Sequence, residues 1–316
     1  KKENNYIVGI HLEQNYFGLS ISDISTGLFQ TTEYSLEKLD EVLVNELAKF
    51  NPVECVLPND LYNDPEFLKK LNMHQDMNIF PFLDWENYTQ KADEFLEYHF
   101  GLKEISSFGI EELEVAQKAS AGLLGYLKYT QKDKISHITK ISKLNDQDYM
   151  LMDRATLVNL EVFSTIREGK KKGSLINYLD KTTTSMGGRL LRNWVLHPLY
   201  NSSEIKRRYD SVQELVDSLF ERDHLKEILE NILDIERLLS RLAINIGNPR
   251  DLIRLKESLS YVGELKDSLE EFEAPLIKDV FEKINLEALN LAGYISVIIK
   301  DDPPVDPKSG GLIKKG

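Results

Sequence analysis

The stretch "YIVGIHLEQNYFGLSISDISTGLFQTTEY", residues 6–34, decides how the first part of this chain folds. It holds three β-rich runs, "YIVGIHL", "YFGLSISDI" and "LFQTTEY", set off by the short turn-forming pieces "EQN" and "STG". Strands joined by turns this short pair with their sequence neighbours, so the stretch predicts an antiparallel meander. In the following "LEKLDEVLVNELAKF", Leu36, Leu39, Leu43, Leu47 and Phe50 stand at helical spacing, with Ser35 placed to cap. "PVECVLP" returns as a strand, "DPEFLKKL" carries proline near a helix start, and "MNIFPFL" reads as a last strand. Three strands followed by alternating helix and strand is the order of a ribonuclease-H-like α/β domain.

From Ile110 onward the strand signal stops. Leu113, Ala116, Ala119, Leu123, Leu124 and Leu127 form a helical stripe. "NSSEIKRRYDSVQELVDSL" repeats the spacing with Ile205, Tyr209, Val212, Leu215 and Leu219, and Glu204 three residues after Asn201 nearly makes a capping box. "LKEILENILDIERLLSRLAI" carries a further apolar stripe, and "NPRDLIRLKESLSYV" opens with Asn248 as N-cap and Pro249 at the first helical position. The fold class is therefore an α/β domain followed by an all-α bundle, with the change between residues 105 and 135. A length of 316 residues suits two domains at about 150 residues each.

Composition narrows the function classes. The chain has a single cysteine, Cys55, so it holds no internal disulfide, and the apolar run around it reads as the site of a buried structural thiol. That usage fits a reducing cytosol, and no run approaches the roughly 18 apolar residues of a membrane span. The net charge is −13, unevenly spread. Residues 1–132 hold 11 lysines, no arginine and 22 acids, and all 11 arginines follow Met152. An acidic, arginine-free front half is a poor grip for phosphates and suits protein partners or plain solubility.

Reactive motifs are missing from the sequence. It has no phosphate-binding G-x-x-x-x-G-K-[ST], no G-x-G-x-x-G, and no G-x-S-x-G elbow. The histidines at 11, 74, 99, 137, 197 and 224 make no zinc spacing. A two-metal nuclease remains conceivable from the fold order, through Glu13, Asp23, Glu54, Asp60 and Asp84. The plainer reading of Asp23 is a turn-forming acid bonded to its local backbone. The basic run "REGKKKGS" offers Lys170, Lys171 and Lys172 as a weak phosphate contact, or simply a solvated loop.

The most particular segment is "GSLINYLDKTTTSMGGRLLRNWVLHPL", residues 173–199. Thr182 or Thr183 is placed to cap a helix from about Thr184 to Leu196, with Met186, Leu190, Leu191 and Trp194 as its buried face. Gly187 and Gly188 weaken a helix by up to about 1 kcal/mol each, so they imply close approach to a neighbour. Pro198 stops the helix, and Arg189 and Arg192 project to pair with carboxylates. Thr183, Gly187, Gly188, Arg189, Arg192 and Trp194 thus read as an architectural junction, with no catalytic, metal or cofactor residue among them.

This segment resembles the core domain of the MutS family of DNA mismatch-repair proteins, and so do others in matching order. They are "MLMDRATLVNLEVF", "IKRRYDSVQELV", "DIERLLSRLAINIGNPRDLIRLKESL" and "IKDDPPVDPKSGGLIKKG". Upstream, "YFGLSISDISTGLF" is similar to the opening of the family's connector domain, and "SFGIEELEVAQKASAGLLGYLKYTQK" to the connector-to-core junction. The resemblance implies a connector over residues 1–110 and an incomplete, mostly helical core or lever over 111–316, cut from a cytoplasmic, homodimeric, mismatch-binding ATPase of bacterial type. In that family the mismatch probe precedes the connector, while the DNA clamp and the ATPase that binds ATP and Mg follow this part of the core. No position here matches those motifs. The resemblance implies a non-catalytic role: coupling the mismatch-binding and ATPase ends, and helping to recruit a MutL-type partner. The readings that need no resemblance are an acidic protein-interaction scaffold and, less well supported, the metal nuclease.

Overall fold

The structure, a computed structural model, describes residues 2–72, 77–101, 108–132, 134–144, 149–150, 152–306, 308 and 310–314. His74 therefore lies outside the described residues. Contacts divide the chain into two compact units. One comprises Asn4–Gln147 and Leu151–Leu179, the other Lys1–Glu3, Asp148–Met150 and Asp180–Gly316.

The first unit is built on a mixed sheet. The meander appears as β1 (Ile7–Glu13), β2 (Tyr16–Asp23) and β3 (Leu28–Ser35), antiparallel throughout, with Ile10 opposite Leu19 and Ser20 opposite Thr31. β4 (Glu54–Pro58) lies parallel to β1, and β5 (Asn78–Phe82) parallel to β4. A two-residue β6 (Ser142–Lys143) adds parallel to β3, giving the order β5-β4-β1-β2-β3-β6. The apolar runs are continuous because both faces are covered. Val8, Ile10, Phe17, Leu19 and Ile21 point to one face, where α1 (Leu39–Phe50) inserts Leu43, Leu47 and Phe50. Ser35 caps only a single 3-10 turn ahead of α1 and makes no side-chain bond there.

The other face carries Gly9, Gly18 and Ser20 at its centre, so that a helix can lie close between larger residues such as Ile7, Phe29 and Val56. α2 (Asn59–Tyr62), α3 (Pro65–Asn72), α4 (Trp85–Thr89) and α5 (Ala92–Phe100) lead to the long α6 (Glu114–Thr130). A Cβ on Gly18 would collide with the Val115 carbonyl, and one on Gly9 would stand 2.8 Å from Leu123 Cβ. Ser20, facing the same way, joins Thr31 at 2.8 Å and Ser120 of α6 at 2.9 Å, which satisfies buried hydroxyls on both elements. α6 lies beyond the boundary expected at residue 110, yet its contacts are with this sheet. The unit closes with α7 (Arg154–Asn159) and α8 (Leu175–Leu179).

The second unit is helical: α9 (Ser185–Leu196), α10 (Ser202–Asp217), α11 (Leu219–Glu230), α12 (Ile235–Ala243), α13 (Pro249–Ser260), α14 (Val262–Asp267), α15 (Pro275–Lys283) and α16 (Glu287–Ile298). Leu225, Leu269, Phe272 and Ile277 form one apolar cluster, and Leu238, Leu255, Leu259, Ala292 and Ile295 another. The start of α13 follows the sequence reading. Asn248 accepts from the Asp251 N–H, Asp251 returns the bond to the Asn248 N–H, and Pro249 takes the first turn. At α10 the near-match fails to close a box: Asn201 caps through the Ser203 N–H, while Glu204 turns to Arg207. The α10 stripe also differs from expectation, because Tyr209, Val212 and Leu219 are at least half exposed.

Candidate functional site

The junction read from residues 173–199 is a helix bound mainly by charge. Its cap is Thr184, whose hydroxyl accepts from the Gly187 N–H at 2.9 Å, in place of the expected Thr182 or Thr183. Thr183 sits half-buried in the turn before it. Thr184 has the extended backbone an N-cap needs, which moves the helix start one residue on. His197 leaves helical angles ahead of Pro198, as the sequence requires.

The buried face is a second departure. Gly188, Arg189 and Leu196 are the buried residues of α9, whereas Leu190 is 52% exposed and Met186, Leu191 and Trp194 are only half-buried. Reading apolar residues at a spacing of four selects the wrong side because a charged residue, Arg189, claims the interior. Its guanidinium donates to both carboxylate oxygens of Asp234, each at 2.7 Å, and also to Glu236. Asp234 is at the same time the N-cap of α12, accepting from the Arg237 N–H. Burial disfavours the charge on both groups, but the Arg189 bonds override it. They hold the Asp234 carboxyl below its usual range and raise the proton affinity of Arg189.

The paired glycines make room for the Lys2 side chain and the Thr184 cap. A Cβ on Gly188 would come within 2.7–2.8 Å of the Lys2 side chain, and one on Gly187 would press on the capping Thr184 hydroxyl at 3.0 Å. Lys2 passes over Gly188 to pair with Asp180 at 2.9 Å and to donate to the Thr182 carbonyl. Arg237 donates to the Glu3 carbonyl. Trp194 lies under the Arg208 guanidinium, 3.7 Å from the ring centre, and Arg192 is half-buried on the same helix. The structure thus brings Gly188, Arg189 and the glycine-cap pair into one cluster with Lys2, Asp180, Asp234 and Glu236. Sequence reasoning missed those four partners. Asp234 alone had a local signal, an N-cap residue directly ahead of an apolar helical run.

The other candidate residues do not converge. Lys170, Lys171 and Lys172 are exposed on the loop between α7 and α8, and Lys170 already holds Glu168 at 2.9 Å. Asp23 is fully buried and saturated, accepting from the Asn4 amide, the Asn5 N–H, and the Ser25 N–H and hydroxyl. Glu13 is paired with Lys118, and Glu54 accepts from the Tyr126 hydroxyl. Asp60 and Asp84 are exposed. Among the described residues no three His, Cys, Asp or Glu side chains come together as a metal site. Cys55 is buried, and that burial, with Glu54 beside it, pushes its thiol pKa up, away from reactivity. No helix of the described residues is long and apolar enough to cross a membrane.

Comparison with known proteins also finds two successive domains, the second beginning ahead of the structural boundary at Asp180. Residues 5–139 match the family model described as MutS domain II, and residues 155–315 that of MutS domain III. The chain is 38% identical over 317 residues to a DNA mismatch repair protein MutS of Ruminiclostridium cellulolyticum, covering 100% of this chain and 36% of that protein. It is 38% identical over 315 residues to that of Halothermothrix orenii, covering 100% and 35%, and 36% identical over 303 residues to that of Methanosarcina acetivorans, covering 95% and 33%. The chain thus spans about a third of the length of these relatives. Two successive domains of one family, matched in order across an α/β unit and a helical unit, show that the chain belongs to the MutS family.

Proposed function

We propose that this chain is the connector and the first part of the core, or lever, of a mismatch-recognition ATPase, and that it transmits state without doing chemistry. The observation that supports this most is the Arg189–Asp234 fork. It ties the body of α9 to the cap of α12, while Lys2 and Glu3 fasten the preceding strand of chain to both. Stiff, over-determined contacts of this kind carry displacement between distant sites, which is what a lever requires. On this reading the longer protein is a homodimer that binds mismatched double-stranded DNA and uses ATP and Mg held elsewhere in its chain. The α/β unit helps recruit a MutL-type partner in the cytoplasm. A ribonuclease-H-like ancestry for that unit is supported by its order, three antiparallel strands in the middle with two parallel strands added beside the first. The saturated Asp23 argues for architecture over nuclease chemistry.

The test uses both proteins. This chain is expected to turn over no ATP and to bind duplex DNA weakly, while the longer protein binds mismatched duplex. In pull-down, this chain is expected to retain a MutL-type protein. Metal-dependent cleavage of nucleic acid by the chain alone would overturn the reading, and failure to retain the partner would remove the recruitment part of it.

A further inference from the structure

Arg189, Arg207, Arg241 and Arg254 each hold a carboxylate at 3.5 Å or less. Arg208 has none among the described residues. Its guanidinium lies over Trp194, which orients the fork and leaves its N–H edge uncommitted. Glu204, one turn earlier on α10, is taken up by Arg207, which also pairs with Asp279. Burial lowers the proton affinity of Arg208, with Tyr149 and then Glu204 opposing it. Arg208 is thus a partly buried guanidinium with no carboxylate in hydrogen-bond reach among the described residues, open to a partner's acceptor.

Its surroundings point to what is missing. Leu190, one turn before Trp194, is 52% exposed, and Tyr209 and Val212, beside and one turn after Arg208, are 69% and 55% exposed. Exposed apolar side chains on the two helices that carry this pair mark a contact surface more than a solvated face.

We propose that the Trp194–Arg208 pair is a docking point for a protein segment that brings a carboxylate flanked by apolar side chains. A nucleic acid is the poorer fit. It needs several uncommitted cations, whereas Arg189 and Arg207 are already neutralised, and Glu204 and Asp210 share the helix with Arg208. A carboxylate matches the planar fork with two parallel bonds, and leucine-like neighbours cover Leu190 and Val212.

The probes are the blocked tripeptide acetyl-Leu-Glu-Leu-amide, its glutamine counterpart and inorganic phosphate, each titrated into this chain at constant ionic strength. Trp194 fluorescence is the readout, since the other tryptophan, Trp85, is buried. The glutamate peptide is expected to give a saturable change. Binding falls about tenfold or more for the glutamine peptide and for Arg208→Met. Arg208→Lys, which keeps the charge but not the fork, falls between, and guards against a variant that misfolds. Equal binding of the two peptides, equal binding by wild type and Arg208→Met, or no saturable response each overturns the proposal. Phosphate binding as tight as that of the glutamate peptide overturns the choice of a protein segment.

Discussion

Arg189 on α9 grips Asp234 at the head of α12 through two parallel bonds of 2.7 Å each, with Arg189 only 6% exposed. The pair joins the middle of one helix to the capping residue of another, so losing it frees a buried charge and loosens a helix start together. Arg189→Met is expected to lower unfolding free energy by about 3 kcal/mol in a urea titration. Arg189→Lys keeps the charge but gives up the fork, and is expected to cost less. A loss below about 0.5 kcal/mol for Arg189→Met, within the range of ordinary surface changes, would mean the pair does not hold the junction.

Gly188→Leu tests the same junction from the glycine side. Its new side chain has to displace Lys2, whose aliphatic part occupies that space and whose ammonium holds Asp180. Overpacking of this kind costs about 1–3 kcal/mol. Thermal melting of the chain is expected to shift down by several degrees (about 2–4 °C per kcal/mol at this size). An unchanged melting temperature would show that Lys2 is not part of the packed structure.

The meander and the Asn248 cap with Pro249 at the start of α13 were legible in the sequence because each depends on residues a few positions apart, whereas the return bond to Asp251 was not read there. Turns such as "STG" and the Asn248-Pro249 start act within one turn of chain. The inward side of α9 was not legible, because it depends on Asp234, some 45 residues away, which makes Arg189 the interior residue in place of Leu190. For the same reason α6 reads only as a helix. Its apolar stripe reveals nothing of the small-residue face of Gly9, Gly18 and Ser20 that it packs on. Long-range partners that are polar or small leave no periodic trace.

Acid sensitivity should concentrate at His11. The indole N–H of Trp85, a residue only 1% exposed, donates to His11 Nδ1 at 3.1 Å, so the fold requires a neutral imidazole. Burial lowers the His11 pKa, with Glu13 working against it and Lys118 with it. The unfolded chain therefore binds this proton more readily than the folded one. The stability contributed is complete above the unfolded value near 6.5 and declines as pH falls from there toward the folded value. His11→Gln, whose side-chain oxygen can still accept from Trp85, should flatten the fall in urea midpoint between about pH 7 and 5. If wild type and variant lose stability in parallel, His11 is not the sensor. His99, likewise lowered by burial, would be the next candidate.

The basic loop brings three consecutive exposed lysines together, so DNA affinity of this chain is expected to draw on it. Lys170 is shared with Glu168, and all three lysines from 170 to 172 are exposed, which limits each to a screened, phosphate-level contact. Each phosphate neutralised contributes about 0.9 to the slope of log affinity against log salt. Replacing Lys170, Lys171 and Lys172 by alanine together should reduce that slope by up to about 2.7, and should weaken binding equally for matched and mismatched duplex. Fluorescence anisotropy across a salt series with both duplexes measures this. A slope unchanged by the triple substitution would leave the loop as a solvated connection between α7 and α8. A loss confined to mismatched duplex would be incompatible with contacts made only to phosphates.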